Sequence, residues 1–320
     1  DPNPHNPGGL AVRKMSQLLA AAALAAANYR LNITAGAESD AALQLGEVRF
    51  YSSGLNTPTA RVTVSNPGWQ STISCASVGC DPTNLVDGNL ASGWVDAHTT
   101  SLLEFDVPFG SVFAYELVSG TFATPTDPTA WRLERLFNGE WTVSSEMSDI
   151  PPPEADPGSY GGPIPVDKTA LFRFTFSAVR GGGSSVSLSE LRLYQNDGTI
   201  VPPSQLSVGG SGSSEFMSPV GAPMAFDDNT ATAWTDSGFG SAGSSYLLLL
   251  IPEINPAESF VTYELVTSEG STAMDPTAWT VERWRAPFVW ETLATEGPGT
   301  VAPPDARGAA YPQLSVVAPP

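Results

Sequence analysis

The chain has 320 residues, enough for two ordinary domains, and 41% of its residues are hydrophobic, so we expect globular domains with buried cores. It carries 14 Lys and Arg against 33 Asp and Glu, a formal net charge of -19, and its basic residues are not clustered. Nucleic acid and anionic membrane surfaces are therefore poor partners, because both bind grouped positive charge.

The N-terminal segment, residues 1–28, contains an apolar Ala/Leu run from Leu18 to Ala27 behind two basic residues, Arg13 and Lys14. The run is similar to the apolar part of a secretory signal peptide, and it is too short to cross a bilayer as a helix. An Ala-rich helix is the preferred interpretation, with a signal-like remnant as the alternative. We expect no transmembrane segment.

Most of the remaining chain is one unit written twice in the same order. Residues 29–54 align without a gap with residues 172–197, and NLVDGNLASGW at residues 84–94 corresponds to MAFDDNTATAW at residues 224–234. DPTAWRLERL at residues 127–136 returns as DPTAWTVERW. Segments such as YRLNI and FRFTF alternate apolar and polar residues with period two, which predicts strands with one buried face. The fold class is therefore all-β, as two tandem antiparallel β-sandwiches or jelly rolls.

The repeat predicts two domains, at residues 29–149 and 168–298. Residues 150–167 are rich in Pro and Gly, which favours a stiff connector or a long surface loop. Residues 299–320 form a Pro-rich tail of similar composition.

Two further features favour a secreted or cell-surface protein. Cys75 and Cys80 are close enough to form a local disulfide in an oxidising compartment. A zinc site is the weaker alternative, because His5 and His98 stand in no ligand spacing. The sequence Asn32-Ile33-Thr34 is an N-glycosylation sequon, so Asn32 is a candidate glycan acceptor.

Three repeated motifs resemble those of one known family: LVDGNLASGW with AFDDNTATAW, DPTAWRLERLFNGEW with DPTAWTVERWRAPFVW, and QLGEVRFY with SLSELRLY. Over most of residues 29–298 the chain resembles the discoidin, or coagulation factor 5/8 type C, family of galactose-binding-like domains. The family's S-N-D-G turn before the last Trp of the second motif is reduced to RLFNGEW in the first copy and is absent from RWRAPFVW in the second. The resemblance implies jelly-roll domains that act in recognition or adhesion.

The resemblance also implies a calcium site in each copy, because calcium-binding members use this turn and the Glu of the L-S-E strand. Carried over by position, the ligands are Asp87, Asn89, Ser92 and Glu47 in the first copy. In the second copy they are Asp227, Asn229, Thr232 and Glu190. All are oxygen donors, which Ca²⁺ prefers. The alternative is a metal-free turn in which the Asp accepts backbone N–H groups.

The order of the strands in each domain is open to two interpretations. In the family's usual order the L-S-E strand closes a domain, so Glu190 would face Asp87 and the second sandwich would stay open. In a shifted order each copy begins with this strand, Glu47 faces Asp87, and Glu190 faces Asp227. We expect the shifted order, because it leaves no half-domain.

The tryptophans of the repeated motifs are predicted to be structural. Trp94 and Trp234 are expected in the two cores, and Trp131 and Trp279 are interpreted as core residues in preference to platforms for a sugar ring. The Asp of each DPTAW phrase, Asp127 or Asp275, is expected to accept backbone N–H groups at a turn.

No catalytic motif is present, so we expect no enzyme and no catalytic residue. The predicted function is non-catalytic adhesion, glycan recognition or a structural role in an extracellular assembly or filament, with a glycan or another extracellular protein as partner. Self-association is expected through the chain ends, before Tyr29 or after Gly297. Calcium is the only cofactor implied. The alternative is the carbohydrate-binding portion of a larger secreted glycoside hydrolase.

Overall fold

The computed structural model describes residues 28–39, 41–52, 55, 58–67, 81–108, 112–121, 126–166, 169–212, 221–252, 260–285 and 288–316. The predicted helix in the N-terminal segment and the proposed disulfide between Cys75 and Cys80 lie outside these residues. The segment before Tyr29, one of the two expected routes to self-association, lies almost wholly outside them as well.

The first half of the chain forms ten named strands in the part that the structure describes. These are β1 (Tyr29–Gly36), β2 (Leu43–Leu45), β3 (Glu47–Tyr51), β4 (Thr63–Ser65), β5 (Trp94–Asp96), β6 (Ser101–Asp106), β7 (Ala114–Val118), β8 (Pro128–Phe137), β9 (Glu140–Met147) and β10 (Ile164–Pro165). A 3-10 helix at Pro82–Val86 precedes β5. A five-stranded sheet has the order β4-β6-β1-β8-β9, and smaller sheets have the orders β10-β7-β3 and β2-β5.

The second half repeats this arrangement. Its strands are β11 (Thr169–Val179), β12 (Val186–Tyr194), β13 (Ser207–Gly210), β14 (Trp234–Asp236), β15 (Ser245–Pro252), β16 (Thr262–Thr267), β17 (Pro276–Arg285), β18 (Val289–Glu296) and β19 (Leu314–Ser315). Its 3-10 helices are Arg180–Gly182, Pro203–Gln205, Ala222–Ala225 and Thr272–Met274, and an α-helical turn occupies Phe239–Ala242. The sheets have the orders β13-β15-β11-β17-β18 and β14-β12-β16-β19.

The strand pairs are antiparallel, and the two halves use the same register. Tyr29 lies opposite Phe105 and Arg135, and Phe172 lies opposite Leu249 and Arg283. Each central strand buries alternate residues, as its sequence pattern predicts. The prediction of an all-β, antiparallel protein is confirmed.

Each half buries large aromatic side chains in a cluster of its own. Trp94, Trp131, Trp234 and Trp279 are all 0 to 1% exposed, so the prediction that they are core residues is confirmed. Trp131 Nε1 donates to the Tyr115 hydroxyl at 2.8 Å, and Trp279 Nε1 donates to the Tyr263 hydroxyl at 2.9 Å. The DPTAW phrase is therefore part of the scaffold.

The Pro-rich stretches at residues 150–167 and 299–320, over their described residues 150–166 and 299–316, each contribute a two-residue strand to a sheet. β10 pairs with β7, and β19 pairs with β16, so each stretch adds the last strand to its own half. The Tyr160 hydroxyl donates to the Pro128 carbonyl, and the Tyr311 hydroxyl donates to the Pro276 carbonyl, both at 2.9 Å. We call these stretches the closing segments, residues 28–166 the first unit, and residues 169–316 the second unit.

The second closing segment packs on its own unit. Val301 and Tyr311 are buried in the core of the second unit, and residues 309–311 and 314–316 form backbone hydrogen bonds to it. The described part of the tail after Gly297 therefore packs on its own unit, and its contact with another chain stays a prediction.

The two units are joined by an apolar cluster, which we call the join. Tyr51, Leu55 and Ala114 of the first unit pack against Leu171 and Leu250 of the second unit, and these five side chains are at most 6% exposed. Phe113, Leu248, Trp284 and Trp290 cover the cluster. Leu55 N also donates to Val208 O at 3.1 Å. Because Leu171 and Leu250 lie on the outer face of the second five-stranded sheet, the first unit covers part of that face.

Candidate functional site

The predicted calcium ligands come together within each unit, around a turn that we call the Glu–Asp turn. In the second unit, Glu190 Oε1 accepts a hydrogen bond from Asn229 N at 2.7 Å, and Asn229 N also approaches Asp227 Oδ1 at 3.0 Å. In the first unit, Glu47 interacts with the Asp87 side chain. Glu190 thus lies beside Asp227, so the prediction of the shifted strand order is confirmed.

Local irregularities in the strands place the two Glu side chains. Glu190 follows a register shift between Leu188 and Glu190 in the pairing of β12 with β16. In the first unit, Gly46 separates β2 from β3 immediately before Glu47. A Cβ atom at Gly46 would lie 2.5 Å from Ser119 O, so only glycine allows this close approach.

Each turn is closed by the side chain of its own Asp. Asp87 Oδ1 accepts from Asn89 N at 2.7 Å, and Asp87 Oδ2 accepts from Ser92 Oγ at 2.8 Å. In the second unit, Thr232 Oγ1 donates to Asp227 Oδ2 at 2.7 Å. The hydrogen bonds from backbone N–H groups to Asp87 and Asp227 are those expected for the metal-free alternative. They also hold the two carboxylates in position for a cation.

Each turn couples a buried carboxyl group to an exposed one. Glu47 and Glu190 are both 2% exposed, whereas Asp87 and Asp227 are exposed. Burial, with the neighbouring Asp87, raises the pKa of Glu47 to about 7. Burial also raises the pKa of Glu190 to about 7; the Asn229 N–H opposes this rise, and Asp227 adds to it. In the absence of a cation, each Glu retains a proton in the folded protein well above its usual pKa.

These pKa values predict that folding stability falls as the pH rises from about 4.5 to about 7, because the unfolded chain releases the Glu protons before the folded chain does. Replacing both residues in the double variant Glu47→Gln/Glu190→Gln should weaken this dependence and raise stability at pH 8. A tenfold change in an ionisation constant is worth about 1.4 kcal/mol. Each Glu should therefore lower the free energy of unfolding at pH 8 by an amount on the order of 3 kcal/mol. The measurement is urea unfolding, without calcium, at pH 4 to 8.

The matched control is Glu140→Gln, because Glu140 is an exposed acid on β9. It should leave the pH dependence unchanged. Some dependence should remain in the double variant, because burial raises the pKa of Asp127 to about 7 as well. Equal pH dependence of the double variant and the wild type would contradict the assignment of these protons to the two Glu residues.

The oxygen atoms of the turn are compatible with calcium. Among the described residues, no group of three or more His, Cys, Asp and Glu side chains could hold a metal ion, so each turn offers two carboxylates. Amide, hydroxyl and carbonyl oxygens would have to complete the shell, and these are donors that Ca²⁺ accepts. In the first unit, Glu47 Oε1 is buried without a hydrogen-bond partner within the described ranges. The residues therefore fit a calcium ion.

The first unit also contains a polar pocket of about 300 Å³ that the sequence patterns did not reveal. Asp96 Oδ1 lies 2.7 Å from His98 Nδ1, and Asp96 Oδ2 accepts from Ser101 Oγ at 2.7 Å and from Asn66 Nδ2 at 3.0 Å. Burial alone would raise the pKa of Asp96, but its hydrogen bonds from Ser101, His98 and Asn66 lower it. Asp96 is therefore a buried carboxylate, 1% exposed, that orients the groups around it.

Asn32, the candidate glycan acceptor, also lines this pocket. It lies in β1, the central strand of the five-stranded sheet, and its side chain is half-buried on the outer face. A glycosylated sequon is expected in a surface loop, whereas this position pairs with Leu102 on one side and Arg132 on the other.

Comparison of the chain with family models, curated proteins and solved structures finds no match. The resemblance to discoidin domains therefore depends on the motifs of this sequence. Within the described residues, no helix is long and apolar enough to cross a membrane.

The Asp residues of the DPTAW phrases are fully buried and bind side chains, where the sequence predicts backbone N–H partners. Asp127 Oδ1 accepts from Gln44 Nε2 at 2.9 Å. Asp275 instead forms two hydrogen bonds with Arg307, at 2.8 and 2.6 Å, and lies 3.6 Å from Arg180. Arg307 belongs to the closing segment, so this ion pair fixes that segment to the core of the second unit.

Proposed function

We propose that the chain is a non-catalytic, extracellular or cell-surface recognition protein for adhesion, built from two discoidin-like jelly-roll units that act as one stiff body. The repeated motifs and the placement of each Glu beside its turn support the discoidin-like assignment. The recognition role rests on a difference between the two outer sheet faces. The face of the second unit takes part in the join, whereas the corresponding face of the first unit is polar.

The two outer sheet faces can be compared residue by residue through their registers. Leu248 and Leu250 of the second unit, which contribute to the join, correspond to Glu104 and Asp106 of the first unit. Two carboxylates at these positions keep the first face in water, because burying them unpaired would cost several kcal/mol each. This face is therefore unsuited to receiving a further unit in the way the second face does, which favours recognition over a filament built by repeating the join.

The geometry around His98 supports the non-catalytic assignment. Ser101 Oγ donates to Asp96, and the imidazole nitrogen Nδ1 also faces Asp96, so the serine is not activated by the histidine. An activated nucleophile requires a direct hydrogen bond to its general base. His98 is therefore not placed to act as the base for Ser101.

Calcium is part of the proposal as a structural ion. Glu47, Asp87, Asn89 and Ser92 would hold it in the first unit, with Glu190, Asp227, Asn229 and Thr232 as the corresponding set in the second. A bound Ca²⁺ would replace the proton of each Glu and neutralise the paired carboxylates. Calcium should then raise the melting temperature of the wild type at pH 8 and have little effect on Glu47→Gln/Glu190→Gln.

The function is tested by a glycan array, with and without calcium, combined with light scattering and binding to cell surfaces. We expect a monomer that is retained on one class of glycan or on cells. A protein that polymerises and binds neither cells nor glycans would contradict the recognition role and support the structural one.

Replacing Leu250 by Asp, the residue at the corresponding position of the first unit, should separate the two units. A carboxylate in the join would be buried without a partner, which costs about 3 kcal/mol. Small-angle X-ray scattering should show a larger radius of gyration, with both units still folded by circular dichroism. Tyr246→Asp is the control, because Tyr246 is 41% exposed on the same strand, and it should leave the scattering curve unchanged. An unchanged curve for Leu250→Asp would show that the join does not hold the units together.

A further inference from the structure

The pocket of the first unit lies at the edge of the outer sheet face that the join leaves uncovered. Asn32 and Leu102 come from β1 and β6 of the five-stranded sheet, Asp96 ends β5, and His98 and Thr100 come from the β5–β6 connection. Asn66 follows β4 and donates to both Asp96 and Ser101, at 3.0 Å each. Three segments that are distant in sequence therefore bring polar side chains to one pocket.

Comparison with the second unit shows which residues of the pocket both units share and which are specific to the first unit. Asp236 corresponds to Asp96 and accepts from Ser245 Oγ at 2.6 Å and from Gly238 N at 2.7 Å, as Asp96 accepts from Ser101 and from the backbone N–H of His98. The buried Asp and its Ser are thus common to both units. The positions of Asn32, Asn66 and His98 are occupied by Thr175, Gly210 and Gly238 in the second unit. Two amides and an imidazole are therefore additions specific to the first unit.

These additions offer both hydrogen-bond donors and acceptors, and none of them is a Lys or Arg. The Asn32 amide has no hydrogen-bond partner within the described residues, and the His98 side chain is 46% exposed with Nδ1 committed to Asp96. That arrangement leaves Nε2 of His98 to face a ligand. Lys and Arg are absent from the described lining, which disfavours phosphate and sulfate groups. Leu102 supplies an apolar surface, and the volume lies at the lower end of the range of small-molecule sites.

We propose that this pocket binds a neutral saccharide unit through the Asn32 amide, the His98 imidazole and the Thr100 hydroxyl, with Leu102 against the sugar ring. The inference rests on the proposed recognition function and assigns it to one face of the first unit. Adjacent sugar hydroxyls act as both donors and acceptors, which is the combination that an amide and an imidazole match. Asp96 acts as a positioning residue, because it fixes the His98 ring and the Asn66 amide.

The proposal requires Asn32 to be unmodified, because a glycan attached there would cover the pocket. Mass spectrometry of the chain secreted from a eukaryotic host should find Asn32 free of glycan. An occupied Asn32 would overturn the proposal.

The binding test uses methyl glycosides of glucose, galactose, mannose, xylose and N-acetylglucosamine, titrated into the full chain made in bacteria. The chain has two histidines, so the imidazole signals in NMR spectra are simple, and His98→Ala identifies the signal of His98. At least one glycoside should shift the His98 signal. His98→Ala and Asn66→Ala should each weaken its binding about tenfold, measured by saturation-transfer NMR.

Thr175→Ala is the matched control, because Thr175 occupies the position of Asn32 in the second unit, and binding should be unchanged. If Asn66→Ala fails to fold, His98→Ala decides alone, since its side chain is outside the core. A glycoside that binds equally well to His98→Ala, or a His98 signal that no glycoside moves, overturns the proposal. Glycan-array binding that persists in His98→Ala would leave the recognition function standing while rejecting this pocket as its site.

Discussion

Replacing Trp94 by Ala is expected to lower the free energy of unfolding by about 3 to 5 kcal/mol, the usual cost of truncating a buried Trp. Trp94 is 0% exposed and begins β5, where it pairs with Leu45 of β2 next to the Glu–Asp turn. Its loss leaves a cavity that the flanking strands cannot fill. The measurement is urea unfolding followed by far-ultraviolet circular dichroism.

Trp234→Ala should cause a similar loss in the second unit, because Trp234 occupies the same position and packs 5.5 Å from Phe176 between ring centroids. The control is Trp141→Ala, since Trp141 is half-buried on the outer face beneath Arg30 and should matter less. An unchanged melting temperature for Trp94→Ala, together with lost ligand binding, would show that this Trp serves the ligand and not the core.

Replacing Arg307 by Ala is expected to cost about 3 kcal/mol, the lower end of the range for breaking a buried ion pair. Asp275 is fully buried, and Arg307 gives it two hydrogen bonds, so the substitution leaves a carboxylate with only Arg180 nearby. Urea unfolding of the variant and the wild type at pH 7 measures the loss.

The double variant Arg307→Ala/Asp275→Asn should recover part of the lost stability, since a neutral amide removes the buried charge. Arg285→Ala is the control, because Arg285 pairs with Glu291 at the surface and such pairs are worth about 0 to 1 kcal/mol. Equal losses for Arg307→Ala and Arg285→Ala would show that the buried pair does not stabilise the closing segment.

The internal repeat made much of the fold predictable. Equivalent segments such as YRLNI and FRFTF alternate with the period of a strand, and both form the central strand of a five-stranded sheet. The position of Glu190 beside Asp227 followed from the argument that neither copy should be left incomplete. Short motifs that recur in a fixed order constrain topology even when each motif alone is weak.

The closing segments were missed for a physical reason. β10 and β19 contain two residues each, and β10 ends on a proline, so neither shows the alternation that predicts a strand. The signal that could have found them is a pair of tyrosines. Tyr160 and Tyr311 each follow a DPTAW phrase in the sequence and lie in the Pro-rich stretch after it. Their hydroxyls reach the carbonyls of Pro128 and Pro276, which makes both stretches part of the repeat.

The pocket was missed because its residues are distant in sequence and differ between the copies. Asn32, Asn66 and His98 belong to separate segments, and only the pairing of β1, β6 and β4 brings them together. The matching of the two copies emphasises what they share, which is the buried Asp and Ser of the scaffold. A specific site in one unit appears in that comparison only as a set of mismatches.

The closing segments also bear on how the chain is made. Two tandem units with the same strand order could exchange strands during folding, a characteristic failure of repeat proteins. Ile164 and Pro165 precede every described strand of the second unit, so they leave the ribosome first. A first unit that closes at this stage is no longer a template for mispairing. The second unit is closed only when its own closing segment has been made. A chain cut short before Tyr311 would leave Trp279 without the ring whose centroid lies 5.9 Å away.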